Sequence, residues 1–300
     1  VSDSKTKQQV EALHYFREYA DDWHRKALST AQTKVNVIQQ RNGYVLQVIQ
    51  QRAVTEAALD VGCGTGDLVC DIARQDIEAT GVDFAAEMIE IAQSKAQHQA
   101  LAKARFYCDS IFDFDLSKRR YDVVSANGFI EYISLAELDQ FLSLAYQALK
   151  PGGSLVMGSR NRLFNIFSLN HYTATEMDQE NIALLLREAI ALSSGSKLSE
   201  LANLETVPVQ DVNTEHLNTG IDVTTRYQFT PVQLMHMLQV KGFETKQLYP
   251  IHIHGVSPSF KQQHPQVHTG IANLLQAYAD HPLPLVPYAS SFMLHAQRNS

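Results

Sequence analysis

The chain has 300 residues, 45% of them hydrophobic, and its 25 Lys and Arg against 32 Asp and Glu give a formal net charge of −7. That supports one large core, or a core with a smaller subdomain, and supplies no global field for phosphate backbones, so no nucleic-acid partner is expected. Cys63, Cys70 and Cys108 lack metal-ligand spacing and their odd number suits a reducing, cytoplasmic setting, while the absence of a leader-like start or of an apolar run of about 18 residues points away from secretion and from a membrane.

Residues 8–52 read as two helices. Tyr15, Tyr19 and Trp23 recur every fourth residue, Val45 and Ile49 repeat that spacing, and Gly43 marks a break. An aromatic stripe of this kind serves either as a buried helix face or as a lid whose ring faces attract a cation. Arg41 lies in the apolar context of the second helix. Ala57-Ala58-Leu59 then leads as a strand into Asp60-Val61-Gly62-Cys63-Gly64-Thr65-Gly66-Asp67, and Leu68 to Ala73 follow with helical apolar spacing. Glycines at alternate positions between a strand and a helix N-terminus let the backbone approach a nucleotide-like ligand closely. Gly81-Val82-Asp83-Phe84 supplies a second strand that ends in an acid suited to a ribose diol. In dinucleotide-binding turns a third small residue occupies the sixth place of the glycine motif. Here that place is Asp67, a carboxylate that opposes a pyrophosphate and favours a positively charged ligand, and Asp60 adds a second acid.

This run resembles motif I of the class I S-adenosylmethionine-dependent methyltransferases, and the resemblance continues from Ala53 to about Arg160. Arg105 to Ser110 is similar to the family's third strand, Tyr121 to Asn127 to its fourth, Leu149-Lys150-Pro151-Gly152-Gly153 to the following turn, and Ser154 to Gly158 to strand five. The resemblance implies an α/β fold, with a doubly wound, mostly parallel, seven-stranded Rossmann-like sheet, and S-adenosyl-L-methionine as cofactor with S-adenosyl-L-homocysteine as product. Carried onto this chain, it implies that Gly62, Gly64 and Gly66 line the methionine moiety, Asp83 holds the ribose, and Phe84 and Met88 flank the adenine. Asp109 and Ser110 border the adenine's polar edge, and the backbone near Asn127 approaches the cofactor amine. Asp60, Arg41, Tyr15 and Tyr19 complete the expected cofactor set, Arg41 reaching the carboxylate and the tyrosines covering the sulfonium.

Beyond strand five, residues 161–225 read as a mostly helical cap, with helical spacing from Leu184 to Leu192 and from Leu198 to Leu204 and a break at Ser193-Ser194-Gly195-Ser196. Thr230-Pro231 starts another helix, which Lys241-Gly242-Phe243 ends. Phe243 to Ile253 and Ser290 to Ala296 then form the antiparallel pair that completes the sheet, joined through Ser257 to Pro287. The expected organisation is an N-terminal helical lid over 1–52, a cofactor-binding core over 53–160, the cap insertion over 161–225, and a C-terminal completion of the sheet over 226–300.

Methyl transfer from a sulfonium needs an acceptor aligned with the breaking bond, and a hydroxyl acceptor needs its proton removed. His252 and His254 flank Ile253 at the end of strand six and share a face, with His254 nearer the following loop the first choice of base and His171 the next. Many small-molecule members of the family carry Glu-His after strand four, where this chain has Glu131-Tyr132; Tyr132 can donate to an acceptor oxygen and Glu131 can bind a polar substrate. Arg160 and Arg226 bracket the cap and suit a carboxylate or phosphate, and Tyr172 stands at its entrance. No metal-ligand set is found. The expected activity is methylation of a small polar metabolite, such as a sugar, a polysaccharide precursor or a natural product, first at oxygen and otherwise at nitrogen or carbon. A nucleic-acid or protein methyltransferase is disfavoured, because Ser125-Ala126-Asn127-Gly128 lacks the Asn/Asp-Pro-Pro-Tyr type of motif. A non-catalytic cofactor-binding protein comes last, and the oligomeric state stays open.

Overall fold

Apolar segments separated by helical ones fold here into a single sheet flanked on both faces. The structure, a computed structural model, describes residues 7–27, 34–209, 227–279 and 282–299. Its strands are β1 (Ala57–Val61), β2 (Glu78–Asp83), β3 (Ala104–Cys108), β4 (Tyr121–Ala126), β5 (Leu149–Arg160), β6 (Phe243–Ile253) and β7 (Ala289–Arg298), in the order β3-β2-β1-β4-β5-β7-β6. β1 and β4 are buried at every position, as a central parallel strand covered on both faces must be. The first five strands are parallel, and β7 runs antiparallel to both β5 and β6. The α/β, doubly wound, seven-stranded expectation therefore holds, including the final antiparallel pair. The order reverses between β1 and β4, which opens a crevice at the strands' C-terminal ends, where open α/β sheets bind ligands.

The helices in chain order are α1 (Lys7–Glu18), α2 (Ala20–Ala27), α3 (Val37–Gln51), α4 (Asp67–Ala73), α5 (Ala86–His98), α6 (Leu135–Ala148), α7 (Asn165–Ser168), α8 (His171–Asp178), α9 (Ile182–Ser193), α10 (Leu198–Leu201), α11 (Pro231–Val240), α12 (Pro258–Gln263) and α13 (Pro265–Ala277). Tyr44, Val45, Val48 and Ile49 of α3 pack with α4 and α5 on one sheet face. Leu138 and Phe141 of α6, Leu185 and Leu192 of α9, and Leu234 and Leu238 of α11 cover the other. Two expectations are corrected here. Gly43 does not break the N-terminal region: α3 runs through it, and among the described residues three helices stand where two were expected. The run Leu149 to Gly153 is part of a longer β5, with Gly152 at φ +70°.

Part of the cap is core. Besides α9, Arg162 is buried and pairs with the buried Glu176 through two bonds of 2.8 and 2.9 Å, and Asn165 and Asn181 donate to the same carboxylate. Burial works against the charge on Glu176, yet the Arg162 bonds outweigh it and hold the carboxyl below the ordinary range. Removing one partner of such a pair costs about 3–5 kcal/mol. No helix among the described residues is long and apolar enough to cross a membrane.

Candidate active site

Above the C-terminal ends of the strands lies one continuous cavity of about 580 Å³. Its floor is the turn after β1. Gly62, Gly64 and Gly66 adopt φ of +67°, +51° and +73°, a left-handed run that side chains resist. Gly62 and Gly64 line the cavity, whereas Gly66 does not. A Cβ on Gly66 would lie 2.6 Å from the Phe106 ring and 2.7 Å from Ala92, so this glycine lets α4 pack against β3 and α5, and its expected ligand contact is corrected to a packing role.

Asp83, at the end of β2, accepts the Gly64 N–H at 2.9 Å and the Ala85 N–H at 3.0 Å, which orients its carboxylate at the turn. Burial raises its pKa, while those backbone donors oppose the shift. Asp60 is buried beside it, accepts the Ser125 hydroxyl at 2.6 Å, and is pushed up to about 7 by burial, against the Ser125 bond and with the Asp83 charge adding to the rise. Phe84, Met88, Asp109, Ser110 and Asn127 all line the same cavity, and Ile111 and Phe112 join them. Asp67 lines it as well, but Lys95 binds its carboxylate at 2.6 Å and Thr65 donates to it at 2.8 Å. Its charge is thus already countered, and less of it reaches a ligand than the sequence argument supposed.

The lid is displaced by one residue from the expected stripe. Gln9, Ala12 and Phe16, at helical spacings of three and four, face the cavity. Tyr15 is buried behind them against Tyr19, with ring centroids 4.8 Å apart, and neither tyrosine reaches the cavity. Phe16 meets Tyr132 edge-on at 5.2 Å, so the lid rests on the segment after β4. The side chain of Trp23 lies outside the described residues.

Arg41 reaches the cavity from α3, donating to Glu131 at 3.3 Å and to Ser291 at 3.1 Å. Arg160 approaches the other oxygen of Glu131 at 3.6 Å. Glu131, 1% exposed, is therefore clamped between two guanidinium groups at the junction of the cavity's two ends.

Beyond that clamp the walls are Arg160, Asn161, Phe164, Asn165, Ser168, Asn170, Tyr172, Gln228, His252, His254 and Lys261. Asn165 donates to Gln228 at 2.8 Å and to Glu176 at 3.0 Å, which fixes its amide at the wall. His252 and His254 sit side by side, with ring centroids 4.2 Å apart, and His254 also lies 4.5 Å from Phe164. Alternation alone does not set this arrangement: His252 has φ +56°, and its N–H is held by Gln40 at 2.9 Å. Burial, with neighbouring His252, Lys261 and His268, lowers His254 to about 2, and burial, with Lys261 and His268, lowers His252 to about 3, so both imidazoles are neutral. The His254 Nε2 is buried without a hydrogen-bond partner. His171 is corrected: it is exposed, lies against the Tyr172 ring at a tilt of 39°, and does not line the cavity. Arg226 lies outside the described residues. Sequence reasoning missed Phe16, Asn165, Gln228 and Lys261, and also His268, whose Nε2 lies 3.0 Å from the His252 Nε2.

The strand order, the left-handed glycine turn after β1 and the acid closing β2 define a Rossmann-like methyltransferase fold. Residues 58–153 match a family described as a methyltransferase domain, so this segment carries a methyltransferase domain. It is similar to ubiquinone biosynthesis O-methyltransferase of Coxiella burnetii, 27% identical over 159 residues that are 52% of this chain and 64% of that protein. Mitochondrial ubiquinone biosynthesis O-methyltransferase of Mus musculus is 36% identical over 107 residues, 35% of this chain and 28% of the relative. The chain thus spans less than two thirds of the length of these relatives. Among solved structures, the [4+2]-cyclase SpnF superposes with a TM-score of 0.59 at 17% identity, covering 99% of this chain and 98% of the other. Magnesium protoporphyrin IX methyltransferase from Synechocystis PCC 6803, crystallised with bound SAH, gives 0.58 at 14%, covering 98% and 100%. At these identities the likeness is one of fold.

Proposed function

We propose that the protein transfers a methyl group from S-adenosylmethionine to an oxygen of a small polar metabolite in the cytoplasm, a sugar, polysaccharide precursor or natural product being the acceptor classes its polar walls suit. The supporting observation is the continuity of the cavity, which joins the glycine turn to a chamber walled by Asn165, Gln228, His252 and His254. The residues present fit the cofactor. Asp83 is oriented for a diol, Phe84, Met88 and Ile111 form an apolar slot with Asp109 and Ser110 at its polar edge, and the buried Asp60 is poised to ionise beside a cation. When bound, S-adenosylmethionine supplies an electrophilic methyl group.

This chain's residues do the rest. Arg41, steadied by Glu131, would hold the cofactor carboxylate, and Phe16 and Tyr132 would close the lid and exclude water. Arg160, Tyr172 and Asn165 orient the acceptor, and Tyr132 donates to its oxygen. His254 takes the proton at its free Nε2. Although burial makes it a weak base, weakness suffices here, because a hydroxyl oxygen that gains a methyl group becomes far more acidic than an imidazolium. The relatives' names, O-methyltransferases both, support oxygen over nitrogen or carbon.

The test is incubation of the full chain with S-adenosylmethionine and a panel of hydroxylated aromatics, sugars and amines, read by mass spectrometry for S-adenosylhomocysteine and methylated product. A methyl ether is the expected product. Exclusive methylation of amines or of nucleic acid overturns the acceptor assignment, and failure to bind S-adenosylhomocysteine in calorimetry overturns the whole reading.

A further inference from the structure

We propose that His252, His254 and His268 form a site for one divalent transition-metal ion of the zinc type, with its open position toward the acceptor chamber. The three imidazoles come from the end of β6, the residue after it, and α13, and each offers a nitrogen within 4.8 Å of the other two. Three nitrogens bound tetrahedrally at about 2.0–2.1 Å stand roughly 3.3 Å apart, and the Nε2 atoms of His252 and His268 are already 3.0 Å apart. The third nitrogen lies within 4.8 Å of both, so the site needs the rings to close in around the ion.

The polar arithmetic points the same way. Two neutral imidazoles facing each other through Nε2 share one hydrogen, which leaves the third ring without a role in that bond. The His254 Nε2 is buried without a partner. No carboxylate belongs to the cluster among the described residues, so nothing there balances an imidazolium. A metal ion satisfies several lone pairs at once, and a set of neutral nitrogen donors selects Zn(II), Co(II), Ni(II) or Cu(II) over the oxygen-seeking Mg(II) and Ca(II). The backbone supports the assignment: His252 holds φ +56°, a conformation that a non-glycine residue keeps only where its surroundings demand it. His252 and His254 line the cavity, whereas His268 stands behind them, so a bound ion is anchored from behind and open in front.

One group opposes this. Lys261 also lines the cavity, and its charge acts on all three histidines, so it weakens cation binding. Its own ammonium is disfavoured by burial, and an anionic acceptor oxygen on the ion would lie between two positive groups. The consequence for chemistry rests on the methyl-transfer reading: a metal-bound hydroxyl is more acidic than a free one, and the ion then replaces direct proton transfer to His254.

The experiment uses the full chain after treatment with a chelator, titrated with Co(II) and followed by visible absorption. One equivalent is expected to bind with the intense absorption of a four-coordinate site, to be displaced by one equivalent of Zn(II), and to be lost in His254→Gln and His268→Gln. Lys261→Met should bind several-fold more tightly. His268→Gln keeps a hydrogen-bonding partner for His252, so circular dichroism matching the parent is expected to accompany its loss of metal. No stoichiometric Co(II) binding, or parental binding by His268→Gln, overturns the site. Calorimetry with S-adenosylhomocysteine on the metal-free protein should give unchanged affinity, so a failure there condemns the methyltransferase reading separately.

Discussion

At the glycine-lined end of the cavity, Asp60, Asp83 and Asn127 arrive from the C-terminal ends of three parallel strands, within 68 residues of one another in the chain. At the acceptor end, Phe164, Asn165, Gln228, His252 and Lys261 come from the segment after β5, from α7, from the approach to α11, from β6 and from α12. The first end is a rigid sheet edge whose side chains point where the strand period sends them. The second is assembled from connections, and hydrogen bonds such as Asn165 to Gln228 hold it together. On the proposed reading, a change of acceptor would need changes only in the second end, with the first left as it is.

If the two ends are separable, a variant at one should leave the other's ligand untouched. The largest effect is expected from His254→Ala, which should lower turnover by about 10² to 10⁴ while leaving S-adenosylhomocysteine affinity unchanged in calorimetry. A turnover within a few-fold of the parent would take proton removal away from this residue. Asp83→Ala should do the opposite, weakening cofactor binding by about 2 kcal/mol or more, roughly 30-fold, through loss of charge-assisted bonds and of the anchor for the Gly64 N–H. Unchanged affinity in that variant would detach the acid from the ribose.

Asp60 sharpens the same comparison through pH. Burial raises its folded value to about 7, above the value of an exposed aspartate. Because the folded protein holds this proton more tightly than the unfolded chain, the resulting stability is present below the unfolded pKa and is lost as pH rises through about 7. Binding of the cationic cofactor favours the ionised form, so affinity for S-adenosylmethionine should climb about tenfold between about pH 6 and about pH 8. Asp60→Asn, titrated in parallel, cancels the ligand's own ionisation. Identical pH profiles for variant and parent would remove Asp60 from the cation's neighbourhood.

The difference between the ends also explains what could be read from the sequence. That Gly62, Gly64, Asp83 and Met88 line one cavity was legible because strand, turn and helix succeed one another locally, and each leaves a residue pattern. Gly66 was legible as part of that turn but not in its role, since Phe106 and Ala92, which forbid a side chain there, come from β3 and α5. His268 left no signal: it lies 16 residues from its partner His252, and the approach depends on how α13 packs back on β6. Tyr15 and Tyr19 were misplaced for a simpler reason. Helical spacing identifies which residues share a face but not which of two adjacent faces meets the cavity, and a shift of one residue turns the face by about 100°.

That phase error supplies the smallest and most discriminating prediction. Phe16, not Tyr15, covers the cavity, so Phe16→Ala should open the lid at its contact with Tyr132 and admit water between cofactor and acceptor. Folding should survive, because the residue is only partly buried, in a satellite cluster with Ala12, Tyr15, Tyr132 and Phe84. Tyr15→Phe removes only a hydroxyl, keeps the packing, and should leave turnover close to the parent's. Hydrogen exchange gives the independent readout: α1 should gain protection when S-adenosylhomocysteine and acceptor are both present, and Phe16→Ala should abolish that gain while the core strands stay unchanged. A few-fold loss of turnover accompanied by lost protection places the lid over the acceptor end. If α1 exchanges alike in free and ternary states, it is a fixed wall, and the gate is to be sought in α12, from which Lys261 lines the cavity.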